Sequence, residues 1–195
     1  MPLPKEIFDA AGNVRSYRKS MPLILDCAKQ GNANAQSLAA YGYLKGLGVQ
    51  QSFEKACQWL LKAAAKGQVE SMYNLGLMFE VGEGVLPNPR QAIEWYKKAA
   101  REGQVNAQMN LGLMYIRGIG VRPNRVLGAK WLRKASRKGH PKAIYNMATA
   151  YWRGDGVRKN SKTAERYFRK AADLGDKDAL SYLKNAGLPA PAKNG

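Results

Sequence analysis

Residues 103–139 read GQVNAQMNLGLMYIRGIGVRPNRVLGAKWLRKASRKG, and this stretch sets the architecture of the chain. It is bounded by two glycines 36 residues apart, and the same step lands on Gly31, Gly67 and Gly175. Inside it, Gly118, Gly120 and Val121 recur as Gly46, Gly48 and Val49, as Gly82, Gly84 and Val85, and as Gly154, Gly156 and Val157. Trp131 recurs as Trp59 and Trp95, with Tyr167 in the fourth place. A period of this size marks a stack of small supersecondary units, none able to bury its apolar face alone. The predicted fold is therefore all-α: a solenoid of about four helix-pair repeats with half-repeats at both ends.

Each repeat (32–67, 68–103, 104–139, 140–175) contains two apolar-periodic segments of helical length around its Gly-x-Gly-Val turn. In the second repeat Ser71, Leu75 and Phe79 are spaced by four and form one buried stripe. Gly76 on that stripe, matched by Gly112, Ala40 and Ala148, permits close helix approach. Ser52, Asn88, Asn124 and Asn160 precede the second helices as N-caps, each worth about 1 kcal/mol. Pro89 suits the first helical position. The second helices close with small pairs such as Ala63–Ala64 and Ala135–Ser136, and then with the boundary glycine. Residues 1–15 read as a degenerate lead-in and 16–186 as the repeat array. Within the array, 176–187 forms a capping half-repeat, and 187–195 reads as a flexible tail. Because proline removes a helix hydrogen bond, Pro22 places the start of the first helix near Ser20 or Met21.

Composition narrows the chemistry. No run of 18 apolar residues occurs, and MPLPKEIFDAAG lacks the apolar core of a signal peptide. The expected location is cytoplasmic, or periplasmic if a leader has been removed. Cys27 and Cys57 read as small apolar fillers. The one histidine, His140, stands where a helix needs a polar cap. With one histidine and two distant cysteines, neither a zinc site nor an acid–base pair assembles, so no catalysis, metal or cofactor is expected. The Gly-x-Gly turns follow helices rather than strands, which argues against phosphate loops.

Two segments carry a family pattern: SMYNLGLMFEVGEGV with NPRQAIEWYKKAAREGQ, and AQMNLGLMYIRGIGV with NRVLGAKWLRKAS. They resemble the Sel-one-like repeat (SLR), a relative of the tetratricopeptide repeat, and the resemblance covers roughly residues 16–186. It implies a right-handed superhelix with the first helix of each pair on the concave side. It also implies a scaffold or adaptor role in assembling other proteins, largely in bacteria. Gly128 in place of alanine, Tyr167 in place of tryptophan and Leu38 in place of asparagine depart from the pattern.

Two sets of residues are candidates for binding. Asn74, Asn110 and Asn146 form a ladder. In tetratricopeptide relatives an asparagine at the matching place bonds a bound peptide's backbone. An amide donates and accepts at once, which suits an extended chain, but the same amides could instead brace neighbouring helices. Tyr73, Leu77 and Val81 share a side with Asn74. Met109, Leu113 and Arg117 accompany Asn110, and Tyr145, Thr149, Trp152 and Arg153 accompany Asn146.

The second set is basic. The chain carries 32 Lys and Arg against 14 Asp and Glu, a net +18, and the excess is uneven. Residues 1–100 hold 12 bases against 8 acids, and residues 101–195 hold 20 against 6. Lys130, Arg133, Lys134, Arg137, Lys138, Arg166, Arg169 and Lys170 fall on second helices, while Arg122 and Arg125 line a turn. This patch reads either as a site for an acidic protein, nucleic acid, acidic polysaccharide or anionic lipid, or as a solvated face that keeps the array soluble. Two functions follow. One is a scaffold that holds a peptide or partner segment in its concave groove and favours acidic partners. The alternative is a binder of an anionic polymer or surface.

Overall fold

The computed structural model describes residues 3–7, 14 and 16–188. The described residues form one 3-10 turn, Lys5–Ile7, and ten α-helices. They fall into two units, residues 1–102 and residues 103–195.

Unit 1 contains α1 (Tyr17–Lys29), α2 (Ala33–Lys45), α3 (Phe53–Ala65), α4 (Val69–Val81) and α5 (Pro89–Arg101), each packed on the next. Its first core joins Met21, Ile24 and Ala28 of α1 to Ala35 and Ala39 of α2, and Ile7 of the lead-in is fully buried there. Its second core joins Ala40, Cys57, Leu60, Ala64, Leu75 and Met78, and Trp59 packs against both. Burial pushes the Cys57 thiol pKa up, as befits an apolar filler. Unit 2 contains α6 (Val105–Arg117), α7 (Arg125–Arg137), α8 (Pro141–Arg153), α9 (Ser161–Asp173) and α10 (Lys177–Asn185). Phe168 centres its last core, stacked at 3.8 Å on the Tyr182 ring of α10. Leu188, within the segment read as tail, packs on this core and donates its N–H to the Leu183 carbonyl at 2.9 Å. Residues 189–195 lie outside the described residues.

The hairpin turns are built alike. The cap side chains of Ser52, Asn88, Asn124 and Asn160 accept from the backbone N–H three residues on. Their own backbone N–H groups donate to the carbonyls of Tyr43, Phe79, Tyr115 and Tyr151, at 2.7–3.1 Å. Each cap thus locks the second helix to the end of the first. Gly82 ends α4 in the left-handed region at φ +87, and Gly84 lies so close to Phe53 that a side chain would enter its backbone. Between repeats, the boundary position caps the next first helix, as with Asn32, Gln104, His140 and Asp176. His140 fills this role through Nδ1, which accepts from the Ala143 N–H at 3.3 Å.

The start of α1 corrects the sequence reading. The helix begins at Tyr17, after Ser16, and carries Pro22 inside it. Ser16 stands one 36-residue step before Ser52, so α1 obeys the repeat rather than the proline. The carbonyl that Pro22 leaves unpaired is that of Arg18, and both residues are exposed, so water can serve it. Burial of Met21 and Ile24 offsets the remaining cost.

Candidate binding faces of the two units

In each unit the asparagines lie on a half-buried stripe of the first helices. In unit 1, residues spaced three and four apart put Glu70, Asn74, Leu77 and Val81 on one side of α4. A groove of about 620 Å³ is lined by the first three of these together with Tyr41, Leu44 and Lys45 of α2, Gln51, Phe53, Met78 and Glu83. Tyr41 is 46% exposed, so an aromatic face is on offer. Two carboxylates stand there against one ammonium. The sequence reading gives no place to Tyr41, Lys45 and Glu70; their one signal is a spacing of three, four or seven residues from the asparagine positions.

In unit 2 the corresponding stripes are Asn106, Asn110, Leu113 and Arg117 on α6, and Lys142, Asn146, Thr149 and Arg153 on α8. Arg117 and Arg153 are exposed. Lys142 bonds the Asp178 carboxylate, and that partner raises the lysine's pKa. The Asn146 Nδ2 is sheltered from solvent and meets no hydrogen-bond acceptor.

Several residues expected in the groove turn aside. Tyr73 lies 5.9 Å from the Tyr96 ring and Tyr145 lies 5.6 Å from Phe168, each wedged between a first helix and its own second helix. Burial, reinforced by Glu70 and Glu80, raises the Tyr73 pKa. Met109 holds the same register on α6. Trp152, seven residues after Tyr145, follows it to that side and is 45% exposed.

The basic residues also divide by what they touch. Arg125 pairs with Asp155 at 3.6 Å, and Arg169 binds Glu165 at 2.9 Å. Lys134 lies 4.2 Å above the Trp131 ring, repeating Lys62 over Trp59 and Lys98 over Trp95. Lys138 donates to the Gly103 carbonyl at 2.8 Å, tying the end of α7 to the turn that precedes α6. Arg122, Lys130, Arg137, Arg166 and Lys170 are exposed, and Arg133 is half-buried. Among the described residues no cluster of His, Cys, Asp or Glu could hold a metal ion, and no helix is long and apolar enough to cross a membrane.

Residues 33–68, 69–104, 105–140 and 141–176 each match the Sel1 repeat, one residue later than the boundaries read from the glycines. The chain belongs to the Sel1 repeat family. A Sel1 repeat protein from Oxalobacter formigenes is 36% identical over 90% of the chain and 72% of its own, with a TM-score of 0.81. A protective antigen of uropathogenic Escherichia coli with an SLR fold is 35% identical over 87% of the chain, also with a TM-score of 0.81. The chain spans only 37% of that antigen's length. Cysteine rich protein B of Helicobacter pylori is 26% identical, covering 67% of the chain and 94% of its own, with a TM-score of 0.53. No curated protein sequence matches the chain. These likenesses place it among all-α repeat solenoids. Sel1 repeat proteins generally mediate protein–protein interactions.

Proposed function

We propose that this Sel1 repeat protein is a non-catalytic scaffold whose first-helix face holds an extended segment of a partner protein. The observation that carries the reading is Asn146. A sheltered amide donor without an acceptor costs about 1–3 kcal/mol, so at this position the amide is not bracing a neighbouring helix. A partner's backbone carbonyl would satisfy it after a small rotation of the side chain. Asn74 supports the same reading by lining the groove of unit 1. The acidic preference belongs to unit 2, where Arg117 and Arg153 flank the amides; the groove of unit 1, with Glu70 and Glu83, favours neutral or basic residues. Asn110→Ala with Asn146→Ala is expected to abolish partner capture from the source cell while circular dichroism stays unchanged. Capture at the wild-type level would sink the proposal.

A second reading, an anionic polymer held along the second helices, is favoured by one observation: no acid stands between Glu102 and Asp155. Its test is reversal of Lys130, Arg133 and Arg137 to glutamate, which spares Lys134 and Lys138 with their structural contacts. Polymer binding should vanish, and binding to the wild type should weaken steeply with salt.

A further inference from the structure

A hollow of about 300 Å³ lies in unit 2 between the end of α7 and the middle of α9, lined by Ser136, Arg137, Ile144, Arg166, Tyr167 and Lys170. We infer that it is a binding site for a single phosphomonoester group carried by a partner protein, held by Arg137, Arg166 and Lys170. Two arginines and a lysine, all exposed, line one small space, and no acidic residue lines it with them. The floor is built: Ile144 and Ser136 are buried, and the Ser136 hydroxyl is already committed to the Arg133 carbonyl at 3.0 Å. Arg166 is held 5.9 Å from the Tyr167 ring, and that ring packs on Tyr151.

One 36-residue step earlier the same positions are Arg101, Lys130, Trp131 and Lys134, with Lys134 lying 4.2 Å over the tryptophan ring; two steps earlier the chain offers a sharper contrast. Seventy-two residues earlier the same positions are Ala65, Glu94, Trp95 and Lys98. There Glu94 pairs with Lys97 at 2.7 Å and Lys98 covers the Trp95 ring at 4.0 Å, so no cationic cluster forms. Where the third repeat meets the fourth, alanine has become Arg137, the acid has become Arg166, and tryptophan has become Tyr167. Lys170 then lines the hollow instead of covering a tryptophan.

The charge of the hollow selects its ligand. A phosphomonoester carries about −1.5 to −2 and three terminal oxygens, which matches three cationic donors. A carboxylate would leave most of the positive charge uncompensated. A polyanion running along α9 would meet the Glu165–Arg169 pair and then Asp173, whereas one phosphoryl group need touch neither. The inference takes from the proposed scaffold role only that the ligand belongs to a protein. Ile144 and Asn146 point about 160° apart around α8, so the hollow and the amide ladder occupy different faces.

The test titrates the full chain with four probes: a phosphoserine peptide, its unphosphorylated twin, inorganic phosphate, and a single-stranded DNA oligomer. The phosphopeptide should bind about tenfold tighter than its twin, and inorganic phosphate should compete with it. Arg137→Gln with Arg166→Gln and Lys170→Gln should cost at least about tenfold. Lys159→Gln with Lys177→Gln and Lys184→Gln removes the same charge elsewhere and should cost less than about twofold. Equal losses from the two triple variants, or a phosphopeptide no better than its twin, would overturn the site. So would an oligomer that binds more tightly than the phosphopeptide through the same three residues, or inorganic phosphate alone binding with no gain from the peptide. The Asn110→Ala, Asn146→Ala variant should keep phosphopeptide binding even if groove capture fails; loss of it there would refute a separate site.

Discussion

Unit 1 and unit 2 share their turns and caps but not their surfaces. Beside Asn74 stand Glu70 and Glu83; around Asn110 and Asn146 stand Arg117 and Arg153. Residues 1–102 carry 13 bases and 9 acids, and residues 103–195 carry 19 and 5. The glycines, caps and buried small pairs answer to backbone geometry, which is the same in every repeat. The half-buried stripe answers only to what it meets, so each unit is free to recognise different chemistry.

Salt should separate the units most sharply. Capture of an acidic segment by unit 2 is expected to fall at least about tenfold between low and high ionic strength, because exposed charges are screened. A segment held by the groove of unit 1 should barely respond. Equal salt sensitivity, measured by anisotropy with short acidic and neutral peptides, would erase the contrast.

The shared frame should fail alike in both. A methyl group at Gly84 would enter the Phe53 backbone, and one at Gly156 would enter that of Arg125, each at positive φ. Gly84→Ala and Gly156→Ala are each expected to cost roughly 3 kcal/mol or more in chemical denaturation. Gly67→Ala and Gly139→Ala meet nothing within 4 Å and should cost only about 1 kcal/mol for the strained dihedral. A large difference between Gly84 and Gly156 would mean that the hairpins are not equivalent.

Helix contacts offer a finer distinction. In unit 1, Gly76 lies against the Tyr96 ring, whose hydroxyl donates to Glu80 at 2.6 Å. In unit 2 the matching contact pairs two glycines, since a methyl group on Gly128 would sit 2.6 Å from the Gly112 carbonyl. Tyr96→Phe should lower stability by about 1 kcal/mol, whereas Leu132, at the matching place, has no such bond to lose. The smallest effect is expected from Tyr167→Trp. It should draw Lys170 over the indole, as Lys98 and Lys134 are drawn, and weaken phosphopeptide binding about threefold without changing net charge.

How far the sequence could be read depended on whether a feature repeats. Asn88 and Asn124 were legible as caps because capping is local and recurs one step later. Ser16 sits in the same register, but Pro22 drew attention away from it, and only burial of Met21 and Ile24 shows why the helix starts early. The asparagine ladder was visible, yet Tyr41 and Glu70 were not, because the stripe they share with Asn74 changes its chemistry from repeat to repeat. Of the bases grouped into one patch, Arg125, Lys134, Lys138 and Arg169 each face a specific neighbour. That division depends on distances in space, which a charge count along the chain does not contain.

The bond from each hairpin cap to the aromatic carbonyl nine residues before it closes a turn entirely within one repeat. Deleting or duplicating a 36-residue block at equivalent positions would therefore leave every such closure intact. Length is a variable that unequal recombination could adjust without inventing a new joint, while each added copy remained free to drift toward its own guest.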